Sequence, residues 1–346
     1  MRTAIRYRRL MVGLAAALVV AFLLAVAVGA VWVSPLTTLR LVAWKLGLIE
    51  RPADIARSAE VIVFQLRVPR VLLAGVVGAA LAASGTVFQG LFRNALADPA
   101  IIGVSSGAAL GAVLVIVTVG AGSFGALAVP LAAFAGATVT AFVVYRLARV
   151  GPAVHVATLL LAGIAIAAVI SSLMSLVMSY SGEEIRDIYA WLLGGLVAEG
   201  WRSIGIVAPV VVVGVAGATL VAHELNLVAL GEERAAQLGV EVDRLKRRAI
   251  AIGALLAAAA VSVAGVIGFV GLMTPHLLRL VIGADHRRLL PASLLGGATL
   301  LILADLVART VVAPSELPVG VVTALLGGPF FLFLLRREGR HAGARA

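Results

Sequence analysis

The stretch RVPRVLLAGVVGAALAASGTVFQGLFRNALADP, residues 67–99, has a basic start, an apolar body and a polar end that finishes in proline. Its body, residues 71–92, contains no charged residue. About 20 such residues rising 1.5 Å each match a hydrocarbon core of about 30 Å. The body is also rich in glycine and alanine, which let a neighbouring helix approach closely. The stretch therefore predicts a membrane-spanning helix inside a helix bundle.

The composition of the whole chain extends this prediction to a multi-pass membrane protein. Of the 346 residues, 62% are hydrophobic and 13% are charged, and the mean hydropathy is +1.11. This is far more apolar sequence than one soluble core needs. Because arginines precede the first apolar run, a signal peptide is the competing interpretation of that run. Its length and the lack of a convincing cleavage site favour a retained span.

Successive apolar segments predict an all-α fold with ten transmembrane helices in a single domain, residues 1–346. They lie at about 10–33, 67–92, 100–119, 124–147, 156–180, 202–222, 248–268, 269–283, 289–313 and 318–335. The eighth is short and contains Pro275, so we expect a broken or half-length helix that its neighbours bury. Five helices in each half would make any internal duplication an inverted one, of which the sequence gives a weak hint.

The distribution of basic residues predicts the orientation of these helices. Ten spans place both termini on one side, and the side that holds most of the 28 Lys and Arg residues is expected to be cytoplasmic. This places a cytoplasmic loop at 223–248 and a long external segment at 34–66, where we expect a surface helix. The net charge of +11 then reflects this asymmetry and indicates no nucleic-acid partner.

Several kinds of chemistry are missing from the sequence. Neither of the lysines, Lys45 and Lys246, follows a glycine, so the chain has no phosphate-binding P-loop. With no cysteine and with its histidines on the cytoplasmic side or in the tail, we predict no metal site. The one acid clearly inside a span is Asp305, four residues before Arg309, and this spacing predicts local neutralisation. A partner that supplies energy is therefore favoured, with an ion-coupled secondary transporter or channel as the alternative.

The cytoplasmic loop 223–248 is the expected place for that partner. Its sequence predicts a short helix from about Glu232 to Leu238 that ends at Gly239, followed by a helix that runs into the seventh span. A short helix with both charge signs can dock into a partner's cleft. An ordinary solvated loop is the alternative.

A series of long, ordered motifs between residues 60 and 337 carries a resemblance to a known family. The motifs are RVPR, SGTVFQGLFRNALADPAIIGVSSGA, LLLAGIA, WLLGGL, LGEERAAQLGV, GFVGLMTPHLLRL, GADHRRLLPASLLGG, LADLVART and ELPVGVVTALLGGPFFLFLLRR. In these motifs the chain resembles the FecCD family, the permeases that import ferric siderophores, haem and cobalamin in ATP-binding-cassette (ABC) systems.

The resemblance implies a homodimer in the bacterial plasma (inner) membrane, with the translocation path at the dimer axis. It also implies two ATP-binding-cassette ATPase subunits, which bind ATP and Mg, and a periplasmic or lipid-anchored substrate-binding protein. The chain itself is then no enzyme and binds no cofactor. The cargo is expected to be an iron chelate (haem or a ferric siderophore) or cobalamin.

The resemblance also implies roles for individual residues. Those expected to couple the permease to the ATPase are Glu232, Glu233, Arg234, Gln237, Leu238 and Gly239. Those expected to dock the binding protein are Arg67, Arg70 and Arg309. Lipid-headgroup anchoring is the alternative for the first two arginines, and the pair with Asp305 is the alternative for the third.

The cytoplasmic gate and the lumen are the remaining sites. The gate residues implied by the resemblance are Asn94, Leu96, Val156, Ala157 and Thr158. The chain departs from the family pattern here, with Ala95 in place of a proline and His155-Val156-Ala157 in place of a Ser and Thr pair. Met174 and Met178, one helical turn apart, could line a path for a flat apolar chelate. Ordinary helix packing also explains the two methionines and is favoured.

Overall fold

The computed structural model describes residues 2–29, 31, 33–45, 47–52, 54–119, 127–151, 153–196 and 200–343. Within these ranges the chain is almost entirely helical. The helices are α1 (Arg2–Ala27), α2 (Pro35–Lys45), α3 (Arg57–Val61), α4 (Val68–Leu91), α5 (Val104–Val119), α6 (Ala128–Ala148), α7 (Val156–Ser179), α8 (Ile185–Leu192), α9 (Trp201–Val228), α10 (Glu232–Gln237), α11 (Val242–Ala264), α12 (Val270–Ile282), α13 (His286–Thr310) and α14 (Val319–Gly343).

Three shorter elements complete the described fold. A π-helical turn (Ile62–Arg67) joins α3 to α4, and a 3-10 helix (Pro99–Ile102) precedes α5. Two short antiparallel strands, β1 (Arg149–Val150) and β2 (Ala153–Val154), form a hairpin between α6 and α7.

The predicted all-α, multi-pass architecture is confirmed. In the described ranges, 7 helices are long and apolar enough to cross a membrane, and three shorter apolar helices lie at Val104–Thr118, Val270–Ile282 and Val319–Leu334. Together they correspond, one by one, to the predicted segments. The eighth, α12, has 13 residues and contains Pro275. It is therefore the short, proline-containing helix that the sequence predicts.

The first helix differs from its predicted bounds at both ends. It begins at Arg2, within the basic residues, because arginine is a good helix former whose long side chain lets its charge reach water. It ends at Ala27, well before residue 33. Two arginine side chains from other helices bind its last carbonyl groups, as described below.

Helix α4 lies in the middle of the bundle, as its glycine- and alanine-rich sequence predicts. Gly78 faces the backbone of Gly297 in α13, and Gly85 faces the backbone of Gly271 in α12. At both positions a Cβ atom would overlap a carbonyl oxygen of the other helix. These contacts are the close backbone approach that small residues permit.

The segment 34–66, which the sequence predicts to be external, contains a helix, α2, as expected. Arg40 in α2 makes two hydrogen bonds of 2.6 and 2.8 Å to the carboxylate of Asp54. The bond to Arg40 lowers the pKa of Asp54 below its usual value. Leu36 and Leu39 of the same helix are exposed, which suits a helix that lies at a membrane surface.

Candidate functional site

The short helix α10 lies between α9 and α11, where the sequence predicts it. It follows Gly231 and ends before Gly239, and both glycines have positive φ angles, of 114° and 87°. A glycine in a left-handed conformation is a common end to a helix. The predicted helix and its end at Gly239 are therefore confirmed. The connection between the two long helices is residues 229–241, because the outer parts of the 223–248 segment belong to α9 and α11.

One side of α10 is fixed to the rest of the bundle. The ammonium group of Lys246, in α11, lies 2.7 Å from a carboxylate oxygen of Glu232 and 3.2 Å from the carbonyl oxygen of Val154 in β2. Lys246 is buried, and so is Ala235 in the middle of α10. This contact was not predicted from the sequence, because the partners of Lys246 come from other elements of the chain.

The other side of α10 is open. Glu233, Arg234, Gln237 and Leu238 are exposed, and 60% of Leu238 is accessible. Of the predicted coupling residues, only Glu232 points its charge towards the bundle. The exposed set combines both charge signs with one apolar side chain, which can serve as a small protein-docking surface.

The structure brings the three predicted docking arginines together around one cavity of about 740 Å³. They come from distant parts of the chain, because α4 carries Arg70, the turn before it carries Arg67, and α13 carries Arg309. Pro69 has no N–H group to donate to the preceding turn, which accounts for a π-helical turn at this point.

Arg67 and Arg309 bind the last carbonyl groups of α1. Arg67 donates to the carbonyl oxygens of Val26 at 3.0 Å and Ala27 at 2.8 Å, and it also bonds to Val31. Arg309 donates to the carbonyl oxygen of Ala25 at 3.1 Å. Unpaired carbonyl groups and the helix dipole make the C-terminus of a helix a favourable place for cations. Both side chains are consequently almost inaccessible, at 5% and 4% exposure.

Arg70 is the most accessible of the three, and two carboxylates surround it. Its guanidinium group lies 2.9 Å from Asp305 and 2.8 Å from Glu316. Asp305 also pairs with Arg309 at 2.9 Å, so the predicted neutralisation along α13 is confirmed. Glu316 was missed in the sequence, although it begins one of the quoted motifs, because nothing in its local pattern indicates a partner in α4.

The two parts of the predicted gate are not joined in this structure. The side chain of Asn94 accepts a hydrogen bond of 2.9 Å from the N–H group of Leu96, while residues 156–158 begin α7. Among the described residues, no hydrogen bond or ion pair links the two parts. The carbonyl oxygen of Ala95 lies 3.3 Å from Nδ1 of His276 in α12.

Met174 and Met178 belong to a small apolar cluster. Both are partly buried against Val113, Ile116 and Ile188, from α5 and α8. This environment supports the packing interpretation of the two methionines. In the described part of the chain, no group of three or more His, Cys, Asp or Glu side chains could hold a metal ion.

Comparison with known proteins agrees with this arrangement. Residues 17–337 match the FecCD transport family. The chain is 50% identical to the cobalamin import system permease protein BtuC of Halobacterium salinarum, over 83% of this chain and 76% of the relative. It is 46% identical to the hemin transport system permease protein HmuU of Yersinia pestis, over 79% of this chain and 82% of the relative.

A solved structure shares the fold over almost the whole chain. It is described as "An inward-facing conformation of a putative metal-chelate type ABC transporter", and it superposes with a TM-score of 0.81 at 32% identity, covering 95% of this chain and 99% of the other. In systems of this kind a separate subunit hydrolyses ATP. The chain therefore belongs to the FecCD transport family and is a membrane permease subunit of an ABC importer.

Proposed function

We propose that two copies of this chain form the translocation path for a metal-containing macrocycle of the cobalamin or haem class. The relatives that are 50% and 46% identical are named for cobalamin and hemin, and both cargoes are metal ions held in a tetrapyrrole ring. The chain offers no cysteine to a bare soft metal ion. A whole chelate is therefore the cargo that suits it.

The position of α10 relative to the arginine cavity is the observation that supports the proposed importer arrangement, with the ATPase at one end of the bundle and the binding protein at the other. Helix α9 begins at Trp201, which lines the cavity, and ends at Val228, just before α10. Its 28 residues span about 42 Å, so the two surfaces lie at opposite ends of the bundle. We assign α10 to the cytoplasm, where it meets the ATPase, and the arginine cavity to the outer face, where it meets the binding protein. Both chain termini are then cytoplasmic.

Reconstitution in liposomes tests this function. The chain, its ATPase and its binding protein should take up cobalamin or haem only when ATP is present on the side of α10. The permease alone should show neither ATPase activity nor uptake. Uptake driven by an ion gradient without nucleotide would instead support the ion-coupled alternative. That alternative has little support from Asp305, whose carboxylate already lies between two guanidinium groups.

Docking of the binding protein is proposed to occur by exchange of a carboxylate on Arg70. Glu316 is 40% exposed at its side chain, so a carboxylate of the binding protein can replace it on the guanidinium group, whose planar fork suits two carboxylate oxygens. Arg67 and Arg309 then contribute mainly by shaping the cavity and holding α1.

Charge reversal separates docking from the rest of the function. Arg70→Glu should abolish stimulation of the ATPase by the binding protein while basal ATPase of the complex remains. Arg40→Glu, on the exposed α2 helix, is the matched control and should leave stimulation unchanged. Glu316→Gln should keep or increase stimulation, because it removes the competing carboxylate. A loss of stimulation in Glu316→Gln, with Arg70→Glu unaffected, would contradict the exchange and leave the importer assignment standing.

The cytoplasmic gate is proposed to close across the dimer axis, between Leu96 and the start of α7. This agrees with the lack of a hydrogen bond or ion pair between the two parts among the described residues. Because the protein has no cysteine, Leu96→Cys with Val156→Cys can be tested directly for cross-linking between subunits. Cross-linking should depend on whether ATP is bound. Cross-linking that is equal in all nucleotide states would contradict the gate. Leu230→Cys, at an exposed position beside α10, serves as the control position.

A further inference from the structure

A groove on the surface of the bundle runs between α6 and α11. It encloses about 580 Å³. Its lining residues are Phe134, Thr138, Ala141, Phe142, Tyr145, Arg247, Ile250, Ala251, Ala254 and Leu255. The lining is apolar except at the end formed by Tyr145 and Arg247 and at the single hydroxyl group of Thr138. The groove therefore resembles a binding site for a molecule with a long apolar part and one polar end.

The length of the groove matches one leaflet of a bilayer. From Phe134 to Tyr145 helix α6 rises about 16 Å at 1.5 Å per residue, which is about half of a hydrocarbon core of about 30 Å. Phe134 also lines a second, smaller cavity of about 150 Å³, so the space narrows at this ring. An acyl chain entering from the polar end would be held as far as the middle of the membrane.

The polar end carries a cation, Arg247, that pairs with no carboxylate among the described residues. In the run 244–248, Arg244 pairs with Glu241, Lys246 with Glu232, and Arg248 with Glu224. Arg247 is exposed and forms no ion pair with any described residue. The hydroxyl group of Tyr145, across the groove, also has no hydrogen-bond partner in the described part of the chain. A guanidinium group and a hydroxyl group are both donors suited to a phosphate oxygen.

We propose that this groove binds one anionic phospholipid of the leaflet on the α10 side. One acyl chain lies along α6 and α11 between Phe134 and Tyr145, and the phosphodiester accepts hydrogen bonds from Arg247 and Tyr145. The exposed Arg146 adds positive charge at the same level of α6. Anionic lipids are attracted to such basic positions at the membrane surface. The bound lipid would fill the space between the two helices that the side chains leave empty.

Native mass spectrometry of the detergent-purified full chain, titrated with phosphatidylglycerol, tests the proposal. The wild type should retain one phosphatidylglycerol molecule more tightly than phosphatidylcholine. Arg247→Gln should weaken this binding about tenfold, because it removes a charge-assisted hydrogen bond. Arg247→Lys should restore much of it. Arg9→Gln is the matched control, because Arg9 is an exposed arginine at the end of α1 that lies opposite the arginine cavity.

A second variant tests the apolar part of the site. Ala251→Trp places a large ring in the groove from an exposed position and should prevent retention of the lipid without preventing folding. Thermal stabilisation by phosphatidylglycerol should disappear in both Arg247→Gln and Ala251→Trp. Glycerol phosphate without acyl chains should neither bind nor stabilise. The proposal is wrong if Arg247→Gln and Arg9→Gln lose the lipid equally, or if Ala251→Trp retains it as the wild type does.

Discussion

Replacing Gly85 with alanine tests whether the close contact between α4 and α12 determines the packing of the bundle. A Cβ atom at this position would overlap the carbonyl oxygen of Gly271. The obstacle is backbone on both sides, so no side chain can rotate away, and the two helices must separate. Gly75→Ala, in the same helix, is a matched control, because there the new Cβ would lie 3.5 Å from Cδ1 of Ile302, which is an ordinary contact.

The expected magnitudes differ in sign between the two variants. Alanine is favoured over glycine inside a helix by up to about 1 kcal/mol, and Gly75→Ala should keep part of this gain. At Gly85 the same gain is opposed by overpacking, which typically costs about 1–3 kcal/mol and sometimes more. Since the obstacle here is backbone, we expect the upper part of that range and a net loss of roughly 2 kcal/mol. The corresponding decrease in Tm is roughly 4 °C.

Thermal unfolding in detergent, followed by near-ultraviolet circular dichroism or by a dye-free fluorescence signal, measures both variants under the same conditions. ATP-driven uptake in liposomes should also fall in Gly85→Ala, because α12 carries His276, which contacts the loop of the proposed gate. Equal Tm values for Gly85→Ala and Gly75→Ala would refute the conclusion that the contact of α4 with α12 is close enough to exclude a methyl group.

Four further predictions follow from contacts described above. Asp305→Asn should lower stability by about 3–5 kcal/mol, because it leaves Arg70 and Arg309 without their shared carboxylate. Asp54→Asn, at an exposed position between α2 and α3, should leave Tm unchanged within error. Equal effects of the two variants would contradict the buried role of Asp305. Lys246→Met should reduce uptake severalfold while ATPase activity continues. Arg244→Met, at an exposed arginine of the same helix, is its matched control with normal coupling. Gly239→Pro should also separate ATP hydrolysis from uptake, and wild-type uptake would count against α10 as the coupling element. Ala95→Pro should leave Tm unchanged or slightly raised, because the N–H group of Ala95 donates no described hydrogen bond and proline restricts the unfolded chain, and a clear decrease in Tm would show that the loop cannot accept proline.

The helices were predictable because a bilayer imposes a simple rule on sequence. A run of about 20 apolar residues has few alternatives to a helix when its backbone must be satisfied without water. This rule also predicted α12, because its short apolar segment and internal proline indicated a short helix, and the structure gives it 13 residues. It failed at the C-terminal end of α1, because that end depends on capping partners, and those partners are Arg67 and Arg309 from elsewhere in the chain.

The candidate sites were predictable as positions but not as environments. Family-specific motifs pointed to Arg67, Arg70 and Arg309, and the fold does bring them to one cavity. Their burial, and the role of Glu316 as a partner of Arg70, depend on contacts between residues 40 to 284 positions apart. Lys246 is similar, because its two oxygen partners come from α10 and β2. No periodicity or local spacing encodes such pairs.

The ammonium group of Lys246, in α11, connects α10 with β2, two segments that lie far apart in the chain. It binds the carboxylate of Glu232 at the start of α10 and the carbonyl oxygen of Val154. Val154 lies two residues before the first residue of α7. If α10 is the coupling element, as proposed, Lys246 gives it a direct connection to the strand that leads into residues 156–158. The proposed coupling helix and the proposed gate residues are then connected through the side chain of one lysine.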